Sequence, residues 1–346
     1  MNSEENKYSL MLVDVSYLLT RNLWVSTKSK SINEFNAGDV LRLTIQTLNK
    51  TARDYGITCD KIIMIADAWN KEIGGYYRTD LIKNYIQYKG NRKFYTEEDL
   101  KNLKSDPNAD PEDINKIERE IEVNKLKYKI KKIMQAEFPK IGIPYVSFEG
   151  YEFDDIATIA SFKLYNQILS SNMKPMVIFT KDSDLSYSLS PVCVQFKLPS
   201  KGGEPEIVDY NQMIETVPEE LRNKGLSLYN YYSILSALGI GHNFTKKVLK
   251  NKRANITEVI THIMNNDYSD IDDVDCFNAQ LSSFFLDKLP KVDQVYKMVD
   301  SFMSIGSIGD ATTFRNFCNT YRVNQITDDY YRQFTERLNP SLYQGA

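Results

Sequence analysis

The sequence predicts an α/β protein with a parallel sheet, and two patterns lead to this fold class. Short apolar segments alternate with stretches that have the periodicity of amphipathic helices, which is typical of a parallel, doubly wound sheet. Carboxylates also follow four of the apolar segments, as expected where strands end at one edge of a sheet. The expected strands are residues 8–13, 61–66, 143–148, 176–180 and 192–197. The expected long helices are residues 37–55, 115–138 and 154–170.

The first half of the chain is predicted to contain a long insertion. A basic, tyrosine-rich segment follows the second strand. Residues 94–115 are expected to form a flexible acidic loop, because Pro107 and Pro111 interrupt helices. The charged helix expected after this loop has only one narrow apolar stripe. We therefore predict that residues 70–138 form an insertion over the edge of the sheet.

The second half leads to a prediction of two domains. Beyond about residue 205 the pattern is helical, so we expect an α/β core at 1–204, which includes the insertion, and a helical region at 205–346. No apolar run reaches the roughly 18–20 residues that cross a bilayer. The 4 cysteines form no Cys-x-x-Cys pair, and reduced thiols in a cytoplasmic protein are expected. The presence of only 2 histidines argues against a Ser-His-Asp triad or a histidine-rich zinc site.

Acidic side chains follow four of the five predicted strands, namely residues 8–13, 61–66, 143–148 and 176–180. If these strands are parallel, their carboxylates meet in one crevice, where their mutual repulsion requires hard cations such as Mg²⁺. Such a site suits chemistry on phosphates. Each acid taken alone also fits an Asx turn or a helix N-cap. The predicted metal-site acids are Asp14, Asp67, Glu152, Asp154, Asp155, Asp182 and Asp184.

Basic residues are concentrated locally, although the formal net charge is −3. One basic segment precedes residue 94, and the other contains no acid. Such segments beside an acidic crevice suit a protein that binds a polyanion while metals face its scissile bond. A solvated helix face is the alternative for either segment. The cations of the second segment are Lys246, Lys247, Lys250, Lys252 and Arg253.

Five motifs follow one another in a specific order. They are Leu12-Val-Asp14, Ile65-Ala-Asp67, Tyr88-Lys89-Gly-Asn-Arg92, Glu152-Phe-Asp154-Asp155-Ile-Ala and Thr180-Lys-Asp182-Ser-Asp184-Leu. In this order they resemble the flap endonuclease and 5′–3′ exonuclease family. The bacteriophage RNase H branch is the most similar, because it also has a Gly-Tyr-aromatic-Arg run, here Gly75-Tyr76-Tyr77-Arg78. The resemblance covers residues 8–200 well and the remainder loosely.

The resemblance implies a sheet like that of PIN domains and 5′ nucleases, with a basic helical arch. It implies a metal-dependent nuclease that acts on 5′ ends, flaps and RNA–DNA hybrids during primer removal. The acids would hold two Mg²⁺ or Mn²⁺ ions, and a single-stranded 5′ end would pass through the arch. The implied arch residues are Lys83, Lys89 and Arg92 as catalytic residues and Arg78 as a phosphate contact.

A second element, at residues 238–249, resembles the helix–three-turn–helix with which this family binds duplex backbone and a potassium ion. The turn Gly239-Ile240-Gly241 is expected to open a helix that presents N–H groups to a phosphate, while Lys246 and Lys247 add charge. A helix-packing corner is the alternative. The family has further aspartates here, whereas residues 221–255 contain no Asp or Glu, so we expect a weak second metal site.

The sequence therefore predicts a monomeric 5′–3′ exonuclease or flap endonuclease that binds DNA or RNA–DNA hybrids and works with replication proteins such as a single-strand-binding protein, clamp or polymerase. One alternative is a catalytically degenerate protein that binds branched DNA with the same fold. Another is a phosphatase, against which the basic, tyrosine-rich insertion argues. The sequence leaves open the preference for RNA or DNA and the balance between exonuclease and flap cleavage.

Overall fold

The structure, a computed structural model, describes residues 7–55, 58–59, 61–85, 95–199, 204–240, 246–305 and 311–323. It has an α/β fold whose largest sheet has six strands and is mostly parallel, which confirms the predicted fold class. The strands are β1 (Lys7–Tyr8), β2 (Leu10–Asp14), β3 (Thr58–Cys59), β4 (Ile62–Ala66), β5 (Tyr145–Ser147), β6 (Met176–Phe179), β7 (Cys193–Lys197) and β8 (Glu206–Val208).

Most of the remaining described residues are helical. The helices of the first 170 residues are α1 (Val15–Thr27), α2 (Ala37–Tyr55), α3 (Tyr77–Asp80), α4 (Glu97–Ser105), α5 (Pro111–Glu137), α6 (Phe153–Lys163) and α7 (Tyr165–Ser170). The later helices are α8 (Tyr210–Ile214), α9 (Glu219–Asn223), α10 (Leu228–Ala237), α11 (Ile256–Met264), α12 (Val274–Ser282), α13 (Val292–Ser301) and α14 (Ala311–Tyr321). Short 3-10 helices include Ser183–Ser188 and Leu286–Lys288. Among the described residues, no helix is both long and apolar enough to cross a membrane.

The chain divides into two compact units, of which the first contains residues 1–65, 91–146 and 305–346. Here β2 and β4 pair in parallel, from Met11 opposite Ile62 to Asp14 opposite Ile65. The side chains of both strands are buried, as expected of continuous apolar runs in a parallel sheet. Helices α1 and α2 pack on each other, and α5 packs on both. The carboxyl end of β2 therefore leads directly into a helix with a well-packed face.

The second unit contains residues 66–90 and 147–304. Strand β6 pairs in parallel with β7, and β8 closes this edge as an antiparallel strand. Helix α6 packs on α13, and α10 packs on α12. Buried side chains of the segment from Val217 to Phe277 form one apolar cluster beneath helices α8 to α12. The described part of the region beyond residue 205 is therefore mainly helical, as expected, with strand β8 and the segment 246–255 as exceptions.

The flexible acidic loop expected at residues 94–115 is the main difference between prediction and fold. Helix α4 occupies its first part, because Thr96 and Asp99 cap the helix reciprocally: Thr96 Oγ1 accepts the Asp99 N–H at 3.1 Å, and Asp99 accepts the Thr96 N–H at 2.7 Å. Pro111 does not interrupt α5 but begins it, at the first helical position, where proline is favoured. Helix α5 packs along α1 and α2 in the first unit, with Ile121 and Ile130 buried.

Candidate functional site

Asp14 is the last residue of β2 and the N-cap of α1 in the first unit. Its carboxylate accepts the backbone N–H of Tyr17 at 2.9 Å, and only 8% of the residue is exposed. An N-cap side chain satisfies one of the N–H groups that the first helical turn leaves without a partner. The capping role that the sequence left open for this aspartate is therefore present.

Asp67 follows β4 directly and is tied to the start of α6. Its carboxylate accepts the N–H of Phe153 at 2.8 Å. Next to it, the backbone of Ala68 exchanges two hydrogen bonds with the loop before α6, from Gly150 N–H at 2.7 Å and to Tyr151 at 3.1 Å. These contacts bring the second and third predicted acidic motifs together within the second unit.

The Glu-x-Asp-Asp motif forms the N-terminus of α6. Glu152 is the N-cap and is buried, Asp154 is half-buried, and Asp155 is completely buried. The Glu152 N–H donates to Oδ2 of Asp155 at 3.0 Å, so the carboxylate at the third helical position closes the first turn. One carboxylate oxygen of Asp155 therefore accepts a hydrogen bond from the protein's own backbone.

The other oxygen of Asp155 faces a buried arginine. Arg78 lies on α3, is 9% exposed, and its Nη2 forms an ion pair with Oδ1 of Asp155. The guanidinium carbon also lies 5.8 Å from the centroid of the Phe284 ring. A buried guanidinium stays charged when a carboxylate compensates it. Arg78 therefore acts as an internal counterion, whereas the sequence predicted that it contacts phosphate.

Burial and charge shift the pKa values of this pair in opposing ways. Burial raises the pKa of Asp155 to about 6, Arg78 acts to lower it, and Glu152 raises it again. Burial acts to lower the pKa of Arg78, but Asp155, Tyr229 and neighbouring carboxylates reverse this effect and raise it overall. Arg78 therefore remains protonated at any physiological pH. Its positive charge stabilises the carboxylate form of Asp155 in a buried, apolar environment.

Asp182 and Asp184 follow β6 in the same unit. Asp182 is exposed and caps the 3-10 helix that begins at Ser183, since its carboxylate accepts the Asp184 N–H at 3.0 Å. The side-chain amide of Gln195 donates to the backbone carbonyl oxygen of Asp182 at 2.6 Å and stabilises the turn. Burial raises the pKa of Asp184 to about 6, Asp182 raises it further, and Arg78 acts to lower it.

These electrostatic contacts define one group of carboxylates that share a single arginine. Arg78 interacts with four of them, Asp67 acts on Asp155, and Asp182 acts on Asp184. We call this group the acid cluster; its members are Asp67, Glu152, Asp154, Asp155, Asp182 and Asp184. The carboxylates outnumber the arginine that they share, and this excess of negative charge favours binding of further cations.

Carboxylate oxygens are the ligands that Mg²⁺ and Mn²⁺ prefer, so the donor types of the acid cluster fit these ions. Among the described residues, however, no group of three or more His, Cys, Asp or Glu side chains is arranged to hold a metal ion. The predicted two-metal centre therefore stays a prediction. Asp155, with both oxygens occupied by the protein, is better suited to supporting such a site than to binding an ion.

Of the remaining predicted arch residues, only Lys83 lies within the described part of the chain. Lys83 is exposed in the turn after α3, and its Nζ is 2.7 Å from Oδ1 of Asp80. Lys89 and Arg92 lie outside the described residues. An aromatic pair follows Asp67 in the chain: Trp69 is 57% exposed and packs edge-to-face on half-buried Tyr76, with ring centroids 5.5 Å apart.

The turn after α10 is built for close backbone packing. Gly239 has a φ of 78°, and a Cβ on it would lie 2.6 Å from the carbonyl oxygen of Lys246 and from the backbone N of Lys247. Buried Gln280 accepts the Lys246 N–H at 2.5 Å and donates to the Ala237 and Lys246 carbonyl oxygens at 2.6 and 3.0 Å. Gly241 lies outside the described residues.

The helix expected from Gly241 onward is absent from residues 246–255. Instead, Leu249 forms an antiparallel bridge with Ile271, and the Val248 carbonyl oxygen accepts the Asp272 N–H at 2.8 Å. These bonds use backbone groups that a helix would need, so the segment is extended. Its cations are all exposed or half-buried, and we call them the lysine-rich segment: Lys246, Lys247, Lys250, Lys252 and Arg253.

The sequence did not predict the residues that interact with Arg78 and with the backbone near the Gly239 turn. Tyr229 and Phe284 surround Arg78, and Gln280 joins two loops, yet each lies far from the predicted motifs in the chain. Gln280 on α12 has no distinguishing local signal, because this helix also contains Asp275 and Asn278. No local pattern marks the aromatic contacts of Arg78.

Neither a family model nor a curated protein matches the chain. Several solved structures are similar to it. A complex of bacteriophage T5 flap endonuclease with DNA and metal ions is 16% identical, with a TM-score of 0.43, and the match covers 95% of this chain and 97% of that one. The catalytic core of Rad2 in complex with DNA substrate is 14% identical, with a TM-score of 0.45 and coverage of 97% and 94%.

A third similar structure is human GEN1 in complex with Holliday junction DNA, at 10% identity and a TM-score of 0.46, with coverage of 94% of this chain and 70% of that one. The T5 protein is a flap endonuclease, the family to which the sequence motifs point. All identities are 16% or lower and the TM-scores lie below 0.5. The functional proposal therefore rests on the residues of this chain.

Proposed function

We propose that this protein is a metal-dependent 5′ nuclease that hydrolyses phosphodiester bonds at 5′ ends or flaps of DNA and RNA–DNA hybrids. The observation that carries the proposal is the acid cluster, in which carboxylates from three separate motifs interact and Arg78 is the internal cation that two of these motifs share. Removal of RNA primers during replication is the process that such an activity would serve, in the cytoplasm of a host or bacterial cell.

The acid cluster divides into supporting and solvent-facing carboxylates. Asp155 is buried and paired, and Asp67 is bonded to the start of α6, so both support the others. Asp182 is exposed, and Asp154 and Asp184 are half-buried, so these three reach solvent. Bound Mg²⁺ or Mn²⁺ would activate water and neutralise charge on the phosphoryl oxygens. For Asp14, in the first unit, the resemblance to the flap endonuclease family alone supports a role as a metal-site acid.

Two surfaces support nucleic acid as the substrate. The lysine-rich segment presents cations without a neighbouring acid in sequence, which suits contact with duplex phosphates. The exposed Trp69 and its partner Tyr76 follow Asp67 by two and nine positions and offer rings for unpaired bases. A small phosphoester would need neither surface. Lys83, Lys89 and Arg92 remain proposed contacts of the 5′ strand, and a potassium ion at the Gly239 turn remains a proposal.

A cleavage assay with an isosteric variant tests this function. A 5′-flap duplex and a 5′-RNA/DNA hybrid are incubated with Mg²⁺, Mn²⁺ or EDTA. We expect metal-dependent products from the wild type and none from Asp182→Asn. Asparagine also caps helices well, so the variant should fold normally and lose only charge. Asp209→Asn, which changes another N-cap aspartate of the same unit, should cleave like the wild type.

The alternative is a branched-DNA-binding protein without catalysis. Two observations favour it over other classes: Arg78 already supplies a cation to Asp155, and residues 221–255 contain no acid that could complete a second metal site. Tight binding of flap DNA that is unaffected by metals, without products under any condition, would establish this alternative. Full cleavage by Asp182→Asn would contradict the site assignment itself.

A further inference from the structure

A glutamine side chain is completely buried beside the turn that carries Asp182 and Asp184. Gln195 lies in β7, opposite Ile178 of β6. A buried amide costs free energy unless its donor and acceptor groups form hydrogen bonds. The partners of this amide therefore indicate which part of the second unit it stabilises.

The donor and acceptor groups of the amide all bond to the turn between β6 and the 3-10 helix Ser183–Ser188. Nε2 of Gln195 donates to the carbonyl oxygen of Asp182 at 2.6 Å and to that of Thr180 at 3.4 Å. Oε1 accepts the Ser186 hydroxyl at 2.5 Å. One side chain thus joins the end of β6, the residue that caps the 3-10 helix and the helix itself.

The far end of the same 3-10 helix is attached to α6. Helix α6 packs on it, and the hydroxyl of Thr158 donates to Oγ of Ser188 at 2.8 Å in the interior. Thr158 belongs to the helix whose N-terminus carries the Glu-x-Asp-Asp motif. Gln195 and Thr158 therefore fix the turn with Asp182 and Asp184 from two sides, relative to β7 and to α6.

This support opposes the repulsion between two like charges. Asp182 and Asp184 are two positions apart, and their carboxylates repel each other. Repulsion favours a more open turn, whereas the hydrogen bonds of Gln195 hold the backbone on both sides of Asp182. A cation that binds both carboxylates gains most when they are already in place, because binding then carries no cost of ordering them.

We propose that Gln195 is a positioning residue of the acid cluster, which holds Asp182 and Asp184 in place to bind a divalent cation. The inference rests on the proposed function, because it concerns the same site. Gln195 acts through the backbone of Asp182 and through Ser186, and not by contact with the ion.

Hydrogen exchange in EDTA tests whether Gln195 holds the turn. Gln195→Met keeps a side chain of similar length and removes all three hydrogen bonds. The N–H of Asp184, which donates to Asp182, should then exchange about tenfold faster, the effect of losing roughly one net hydrogen bond. Ser161→Ala is the matched control, because it removes another buried hydroxyl of the same unit, one that bonds to Ser190. It should leave the exchange of Asp184 unchanged.

Calorimetric titration with Mn²⁺, without nucleic acid, tests whether this support affects metal binding. Gln195→Met should bind Mn²⁺ about tenfold more weakly than the wild type, as is usual when a group that orients metal ligands is lost. Ser186→Ala should weaken binding by about threefold, because one of the three hydrogen bonds is lost. Ser161→Ala should bind Mn²⁺ like the wild type. Raising the Mg²⁺ concentration should restore cleavage by Gln195→Met, whose affinity for flap DNA in EDTA should not change.

The outcomes separate the positioning role from the proposed function. Wild-type Mn²⁺ affinity in Gln195→Met, or unchanged exchange of Asp184, would overturn the positioning role alone. If circular dichroism shows that Gln195→Met does not fold, Ser186→Ala and Ser161→Ala decide the question, and equal Mn²⁺ affinities of these two would also overturn it. The absence of Mn²⁺ binding by the wild type would contradict the proposed function itself, and the role of Gln195 in metal binding with it.

Discussion

The acid cluster and the lysine-rich segment carry opposite charges and are built in opposite ways. In the acid cluster, the central charges are buried, and Arg78 and Asp155 form an ion pair away from water. In the lysine-rich segment, the backbone is anchored through Gly239 and Gln280, while the charged side chains lie at the surface, where Lys246 pairs with Asp273.

This difference shows that buried charges affect the free energy of unfolding, whereas exposed charges affect association with a polyanion. A charge in a low-dielectric setting interacts strongly with its partner and is costly to leave alone. An exposed charge is screened by salt within about 10 Å and contributes little to folding, but it attracts a polyanion. Substitutions of the buried Arg78–Asp155 pair should therefore change folding first, whereas those of exposed lysines in the lysine-rich segment should change binding alone.

Arg78→Met should have the largest effect. It leaves the Asp155 carboxylate buried without its counterion, and we expect the free energy of unfolding to fall by about 3–5 kcal/mol. Denaturation by urea at pH 7 measures this loss. Lys83→Met is the matched control, because it removes a predicted phosphate contact that is exposed and paired only with Asp80, and it should cost less than about 0.5 kcal/mol.

The double variant Arg78→Met with Asp155→Asn sharpens this test. Removing both charges leaves no uncompensated ion, so most of the lost stability should return. A single Arg78→Met variant that is as stable as Lys83→Met would show that the buried ion pair does not hold the acid cluster together.

Gly239→Ala should have the next largest effect, because the lysine-rich segment depends on its backbone anchor. The added Cβ meets backbone atoms of Lys246 and Lys247 at 2.6 Å, and the positive φ of 78° is strained for alanine. We expect a loss of about 2–3 kcal/mol in urea denaturation. Gly74→Ala provides the comparison, since Gly74 has a φ of 65° but open space around it, and should lose about 1 kcal/mol. Equal losses would show that the close approach does not matter.

The pH dependence of stability should report the buried carboxylates. The pKa values of Asp155 and Asp184 are both raised to about 6 from an ordinary value of 3.8, so the folded protein binds these protons more tightly than the unfolded chain does. Their contribution to stability is therefore fully present below about pH 4 and is lost as the pH rises through 6. Urea denaturation at pH 4, 5, 6 and 7 in EDTA should show a shallower decline for Asp184→Asn than for the wild type.

If the unfolding free energy of Asp184→Asn declines with pH as steeply as that of the wild type, the pKa of Asp184 is the same in the folded and unfolded states. Exposed acids of the second unit act in the other direction: backbone hydrogen bonds lower the pKa of Asp267 and of Asp273, so their contributions are lost only as the pH falls. The comparison between wild type and variant separates the buried group from these.

The combined variant Lys247→Met and Lys252→Met should have the smallest effect on folding and a clear effect on binding. We expect a change in unfolding free energy within about 0.5 kcal/mol, because both side chains are exposed. Affinity for duplex DNA should fall uniformly across sequences. The slope of log affinity against log salt should decrease by about 1 for each DNA phosphate that the variant no longer neutralises.

Lys140→Met is the control for this binding measurement. Lys140 is an exposed lysine of the first unit that pairs with Glu137 at 3.1 Å. It should leave the salt slope unchanged. An identical slope in the combined lysine variant would remove the lysine-rich segment from the DNA-binding surface.

Local patterns predicted much of the fold, and long-range contacts explain where they were wrong. Helix α2 occupies the predicted residues, and strands occur at all five predicted positions, because apolar periodicity reports which side chains are buried. The prediction of a loop at 94–115 was wrong because it weighed two prolines above the reciprocal caps of Thr96 and Asp99. The helix expected after Gly241 was wrong over residues 246–255, because bonds to a distant segment near Ile271 replace it.

The α/β class, the strands that end in carboxylates and the positions of the acidic motifs could all be predicted from the sequence. These features depend on residues close together in the chain, whose propensities and spacing are local. The pairing of Arg78 with Asp155 could not be predicted in this way, since 77 positions separate the two in the chain. The environment of a charge is set by the groups that pack around it, and here Tyr229 on α10 and Phe284 in the turn after α12 supply that environment.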